Sequence, residues 1–195
     1  MWLDLYYLVE LVNMLIRIMW CHEREDNINK MLSSLPKKTE VIWDTDHNSC
    51  HTLQRVLDTN ESILIMEDDI ELCKNFYEKA KAEIDKRPDT FIMFYGALIE
   101  EIELMHQKKW IPYNRISVFT QAFYLPEWLG KELKEYAETD EYCNKHRYSI
   151  GISKFLKAKW IPRYLVLPSL VQHIWKESII PWISHRHQSD TYKYE

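Results

Sequence analysis

The apolar positions of the chain fall into short blocks whose period changes from one to the next. Leu15 to Cys21 is an apolar run that predicts a strand, and Glu25 to Leu35 carries Ile28, Met31, Leu32 and Leu35 at helical spacing. Pro36, Lys37 and Lys38 break that pattern. A β-rich run from Thr39 to Asp44 follows, then a helical segment from Cys50 to Leu57 with Leu53, Val56 and Leu57 inward. Ser62 to Met66 is nearly pure apolar sequence without alternation, the signature of a strand covered on both faces, and it stops at three carboxylates. A helix over Phe76 to Ile84 and a strand over Thr90 to Tyr95, ending at Gly96, complete the regular part. Beyond it the pattern predicts a strand over Ile116 to Tyr124, a helix over Pro126 to Ala137 and another over Ile150 to Leu156. From Trp160 the chain is rich in Trp, Pro and His and reads as an irregular wrapping segment.

Strands alternating with helices predict an α/β fold with a mostly parallel sheet flanked by helices and right-handed crossovers. Such sheets bind ligands beyond the carboxyl ends of their strands, where Asp44 and Glu67 to Asp69 belong. Three glycines and seven prolines in 195 residues leave no linker tract, so residues 14–195 read as one domain and residues 1–13 as an N-terminal extension or short amphipathic helix. The first stretch, Met1 to Met19, is interrupted by Asp4, Glu10 and Arg17, and no membrane span is expected. A net charge of −5 provides no broad attraction for nucleic-acid phosphates. Cys21, Cys50, Cys73 and Cys143 are irregularly spaced and read as reduced thiols, which fits a cytoplasmic protein.

The densest chemistry is Glu67-Asp68-Asp69. At a strand end Glu67 and Asp69 point one way and Asp68 the other, so the outer pair offers oxygens to one hard cation such as Mg²⁺ or Mn²⁺. The competing reading is a solvated acidic turn opening the next helix. Asp44-Thr45-Asp46 is a second acidic cluster, with Asp46 readable as a turn residue. Arg24 and Arg55 are candidate partners for a diphosphate or a base, against the plainer reading of surface arginines. His47, Cys50 and His51 lack a second ligand pair for structural zinc. No Gly-x-Gly-x-x-Gly or Gly-x-x-x-x-Gly-Lys loop is present, which excludes the usual nicotinamide and P-loop sites.

The segment Ser-Ile-Leu-Ile-Met-Glu67-Asp68-Asp69-Ile-Glu-Leu-Cys-Lys-Asn-Phe resembles the metal-motif region of GT-A glycosyltransferases. Pro168-Ser169-Leu170-Val171-Gln172-His173 is similar to a segment near the C-terminus of small phage and bacterial members. The resemblance runs from about Leu15 to Ser178, and it implies a GT-A-like Rossmann-type fold and a metal-dependent sugar transferase using a nucleotide-sugar, with a UDP-sugar as the leading donor. It implies that Asp69 holds Mn²⁺ or Mg²⁺ on the donor's diphosphate, with His173 as a second ligand or phosphate contact. Glu67 and Asp68 would meet the ribose or the metal's waters, and Asp44 the base or ribose. Related proteins carry a paired acid before the helix ahead of the Pro-Ser-Leu motif, whereas here Arg147-Tyr148-Ser149 stands there. Asp140 and Glu141, several residues earlier, are the substitute catalytic candidates, against a helix-capping turn. Trp175 and Trp182 are candidates for the acceptor wall, with His185, Arg186 and His187 as a basic cap. Modified phage DNA and a cell-surface glycan are the acceptors considered. The alternatives are a metal-dependent nuclease or phosphohydrolase using the same carboxylates, and a non-catalytic binding domain derived from a transferase.

Overall fold

The computed structural model describes residues 14–97, 99–112, 118–143, 148–174, 189 and 191–194. Its centre is a six-stranded sheet of β1 (Met14–Trp20), β2 (Glu40–Trp43), β3 (Ser62–Glu67), β5 (Phe91–Met93), β6 (Ala122–Leu125) and β7 (Arg163–Leu165), in the order β2-β1-β3-β6-β5-β7. β1 pairs in parallel with β2 and β3, and β5 with β7, while β6 runs antiparallel to both β3 and β5. A second, two-stranded sheet joins β4 (Ile70–Leu72) to β8 (Val171–His173), antiparallel. The expected mostly parallel sheet flanked by helices is therefore the fold observed.

Alternation across β3 explains its unbroken apolar run. Leu64 and Met66 enter the core shared with Ile28 and Met31 of α1 (Glu25–Ser33) and with Phe76, Ala80 and Ile84 of α3 (Phe76–Lys86). Ile63 and Ile65 face the other way, into a core built from four helices. These are α2 (Ser49–Val56), α4 (Ile99–Lys108), α5 (Glu127–Thr139) and α6 (Tyr148–Ala158), which contribute Leu53, Met105, Leu129, Leu133, Ile152 and Phe155. All four central residues of β3 are fully buried, so each contributes about 1.5–3 kcal/mol by leaving water. Arg17, the polar interruption in β1, reaches Glu40 at 2.8 Å and donates to the Val56 carbonyl at 2.7 Å, closing the C-terminal end of α2.

The second half of the chain departs from the sequence reading. The strand expected over Ile116 to Tyr124 is confined to Ala122–Leu125, because Thr120 and Gln121 turn their side chains onto Glu67; Ile116 and Ser117 lie outside the described residues. The segment after Trp160 is not simply a wrap. It contributes β7 and β8, three residues each, too short for a period to register. Its final part does wrap: Ser189 and Thr191 bond Ser169, and the Tyr194 carbonyl accepts from Lys74 N–H. α4 had no counterpart in the reading, although Ile99, Ile102 and Met105 have its spacing. The described residues contain no helix long and apolar enough to cross a membrane. All four cysteines are free and buried.

Candidate functional site

Glu67 ends β3 at the carboxyl edge of the sheet, and the next two residues turn the chain into β4 rather than into a helix, which removes the solvated helix-start alternative. Asn27, buried on α1, locks that turn by donating from Nδ2 to the carbonyls of Asp68 at 2.6 Å and Ile70 at 3.0 Å. The three carboxylates then separate into three environments.

Asp68 is 3% exposed and points back under β1. Its Oδ2 accepts from the Cys21 backbone N–H at 2.7 Å, and its Oδ1 from Arg24 Nη1 at 2.5 Å. Burial raises its pKa above the ordinary value, while Arg24 and the Cys21 bonds pull it back toward the ionised form. Burial and the neighbouring Asp68 push the Cys21 thiol up to about 12, which keeps it protonated. Asp68 thus clasps the exit of β1 to the turn His22–Arg24, and both of its oxygens are engaged by protein.

Asp69 takes the opposite role. Its Oδ2 meets Arg24 Nη1 at 3.1 Å and His173 Nε2 at 3.2 Å, whereas Oδ1 is buried with no hydrogen-bond partner among the described residues. Burial alone would raise its pKa, but the His173 bond and the charge of Arg24 outweigh it and hold the carboxyl below its usual range. The same contact raises His173, the Asp69 hydrogen bond being the chief cause. The Pro168-to-His173 segment delivers this histidine through backbone pairing. His173 lies opposite Ile70 in the β4–β8 ladder, and Ile174 N–H donates to the Asp69 carbonyl at 2.7 Å. Ser169 Oγ accepts from Gly96 N–H at 3.2 Å, Leu170 N–H donates to Phe94, and the Gln172 amide grips both backbone groups of Ser189.

Glu67 sits beside Asp69. Its Oε1 accepts from Thr120 Oγ1 at 2.6 Å and from the Tyr148 hydroxyl, and its Oε2 from Gln121 Nε2 at 3.4 Å. Burial first, and then the charge of Asp69, push its carboxyl up to about 7. Tyr148, raised well above its ordinary value by burial and by Glu67, opens α6 at this edge. Gln121 Oε1 is a second buried acceptor without a partner among the described residues. Thr120, Gln121 and Tyr148 had no local signal in the sequence, since only the reversed strand β6 and the start of α6 bring them here. Asp69 Oδ1 and Gln121 Oε1, both buried without a partner among the described residues and flanking Glu67, suit a hard cation. Among the described residues no three or more His, Cys, Asp or Glu side chains form a complete metal cage, so protein would supply only part of a coordination shell.

Asp44, at the end of β2, accepts from Asn48 N–H at 2.8 Å and Thr52 Oγ1 at 3.0 Å through Oδ1, and its own N–H donates to Trp20. Beside it, Trp43 meets Trp20 and His22 edge-on with ring centroids 4.3 Å away, and Trp43 is 43% exposed. This aromatic corner was not singled out from the sequence. Arg55 braces the loop after β2 by bonding Trp43 O, Thr45 Oγ1 and Thr52 Oγ1, and Asp46 pairs with His51 at 2.6 Å.

Asp140 closes α5: its Oδ1 accepts from Tyr142 and Cys143 N–H and its Oδ2 from Tyr136. Burial opposes ionisation there, yet those bonds hold the carboxyl below its usual value, so the group acts as a turn clasp; Glu141 is exposed. Trp175, Trp182, His185, Arg186 and His187 lie outside the described residues. A cavity of about 590 Å³ between the end of α1, β4 and the start of α3 is lined by neither Glu67, Asp69 nor His173. That cavity is separate from the carboxylate edge, where the Asp69 side chain is 15% exposed and that of His173 25%. Comparison with models of known protein families and with curated proteins returns no match for this chain.

Proposed function

We propose that the protein is a metal-dependent glycosyltransferase that moves a sugar from a nucleotide-sugar to an acceptor hydroxyl. The observation that carries this reading is the meeting of His173 with Asp69 Oδ2, from distant parts of the chain, while the other oxygen of the same carboxylate, Oδ1, is buried with no hydrogen-bond partner among the described residues. Mn²⁺ and Mg²⁺ commonly use one or two protein side chains and complete their shell with substrate phosphates and water, which fits a site of this incomplete kind. Asp69 and His173 would hold the cation. When bound, it supplies positive charge to a diphosphate leaving group.

The chain's own residues have separable tasks under this reading. Arg24, held at 3.1 Å from Asp69 and fixed by Asp68, fixes the position of Asp69 and adds positive charge beside it. Glu67, whose carboxyl is pushed up to about 7 by burial and the charge of Asp69 in the metal-free protein, is held in orientation beside Asp69 by Thr120 and Tyr148. Trp43 offers a ring edge and His22 a second one for a nucleobase, with Asp44 alongside for a ribose hydroxyl. The donor to test first is a UDP-sugar, and the acceptor is a hydroxyl of a glycan or of modified DNA.

The test is thermal unfolding with UDP, GDP, CMP and dTDP, each with and without Mn²⁺. Ligand at about a hundredfold excess over its dissociation constant adds about 2.7 kcal/mol, which is about 5–10 °C for a chain of this size. The shift should require metal and should vanish in Asp69→Asn with the fold intact. Nucleotide shifts independent of metal, or retained in Asp69→Asn, would overturn the assignment.

A further inference from the structure

The end of the molecule opposite the carboxylates carries an unexplained concentration of exposed tryptophan. Trp110, Trp128 and Trp160 are 43%, 44% and 68% exposed. Trp160 precedes β7, and Trp110 adjoins Ile111, which bridges to Arg163 at the first residue of β7. Trp128 lies in the first turn of α5, just after β6, which runs down to this edge; Glu127 N–H donates to Ser62 Oγ at the first residue of β3. The amino edges of β3 and β7, and the end of the reversed β6, therefore gather all three rings. They sit on the ends of α4, α5 and α6, the helices that share one face of the sheet.

Two of the three occur in the same local device. Lys-Trp-Ile-Pro appears at residues 109–112 and again at 159–162, each time directly after a helix. In each copy one residue takes a left-handed backbone conformation, Lys109 at φ 64° and Trp160 at φ 61°, and the isoleucine turns inward. Left-handed backbone at a non-glycine residue carries a conformational cost that the inward isoleucine offsets, and in both copies the tryptophan remains at the surface. Lys108, Lys109 and Lys157 are exposed and form no ion pair among the described residues. Lys159 pairs with Glu132, one helical turn beyond Trp128, which ties the α5 and α6 ends together. Exposed acids on the loops and helix start at this edge include Asp58, paired with Lys134, and Glu61, Asp89 and Glu127. In a chain of net charge −5 the Lys-Trp turns are locally basic.

Exposed tryptophan beside unpaired lysine is the chemistry of an interfacial contact: the indole sits at headgroup depth, and the ammonium groups meet anionic phosphates. The rings lie at the ends of three helices on one edge of the sheet. We infer that the amino edge of the sheet, through Trp110, Trp128, Trp160 and the lysines at the ends of α4 and α6, docks on the surface of an anionic lipid bilayer. It leaves the carboxylate edge facing away from the lipid, open to soluble ligands.

The test is co-sedimentation of the full-length chain with vesicles of phosphatidylglycerol mixed with phosphatidylcholine, and with phosphatidylcholine alone. Binding should require phosphatidylglycerol and weaken in high salt. Each lysine neutralised near the surface should lower partitioning about fivefold, so K108Q/K157Q should bind about 25-fold more weakly. W110A/W160A should also reduce binding, while circular dichroism and urea midpoints show that both double variants are folded. No binding to the anionic vesicles, or binding unchanged in both variants, would overturn the proposal. So would tighter binding to single-stranded DNA than to vesicles, since the same rings and lysines would then serve base stacking. Because neither double variant touches Glu67, Asp69 or His173, metal-dependent nucleotide shifts should be unaltered in them, and this outcome is separate from the fate of the transferase reading.

Discussion

Replacing Asp68 by alanine separates a structural carboxylate from a ligand-facing one. The side chain is 3% exposed and accepts from Arg24 at 2.5 Å and from the Cys21 N–H at 2.7 Å. Removing one partner of a buried ion pair costs about 3–5 kcal/mol, mostly because the other charge stays buried. Here Asp69 retains Arg24 at 3.1 Å, which reduces that cost, while the stranded Cys21 N–H adds about 1–3 kcal/mol. The two corrections oppose each other, so the expected loss stays at about 3–5 kcal/mol, or about 6–20 °C in melting temperature. Urea unfolding measures it, with an unchanged m-value showing that the native state is not loosened. Arg24→Met and the double variant complete a cycle, and removing both charges should recover about 0.5–3 kcal/mol relative to the sum of the single losses. A loss in Asp68→Ala below about 1 kcal/mol, within the range of a surface pair, would refute the argument that this carboxylate clasps the end of β1.

Three further outcomes follow from the same geometry. Without metal, Glu67 and His173 both have folded pKa values raised above their ordinary 4.5 and 6.5, so the folded state holds the extra protons and stability falls as pH rises through that range. Melting temperatures in chelator should decline from below pH 4.5 to above pH 7, Glu67→Gln should flatten the lower part, and a rising or flat wild-type profile counts against the assignment. Asp69, held below 3.8, should lose its contribution only at more acid pH, as pH falls through its depressed value. Gly151→Ala places a Cβ 2.3 Å from Cys143 Sγ and 3.0 Å from Asp140 Oδ1, so it should destabilise by about 1–3 kcal/mol although alanine is the better helix former; stabilisation in urea would contradict the packing described. Ser169→Ala strands Gly96 N–H and leaves the Ser189 hydroxyl with Thr191 as its partner, and should cost about 1–3 kcal/mol and raise hydrogen exchange at Gly96 and Ser189; unchanged protection there would show that Ser169 does not anchor the final segment.

The first half of the fold was legible because its elements are long enough for a period to register and each strand ends at a chemical break. β3 reads directly from Ile63, Leu64, Ile65 and Met66 stopping at Glu67, and α2 from Leu53 and Val56. The missed strands β4, β7 and β8 are three residues each, and β7 carries a buried arginine, Arg163, where a periodic reading expects an apolar residue. Within the candidate site, the resemblance implies that Asp69 and His173 serve one cation, while their direct contact comes from the pairing of β4 with β8. Strand alternation separates Asp68 from Glu67 and Asp69, but nothing local marks Cys21 N–H and Arg24 as the groups that receive Asp68. Thr120, Gln121 and Tyr148 converge on Glu67 from a reversed strand and a distant helix, and that information exists only in the tertiary arrangement.

The pairing of β4 with β8 also sets an order of events during folding. β1, β2 and β3 associate through neighbouring stretches of chain, whereas residues 70–72 meet their partners only when residues 171–173 arrive. Loop closure over such a separation is slow compared with local pairing. During synthesis Asp69 is therefore made and flanked by its sheet well before His173 leaves the ribosome. The contact of Asp69 with His173 should be among the last to form, trailing the recovery of secondary structure in a refolding experiment and giving the nascent chain an interval in which it is largely folded while this pair is still apart.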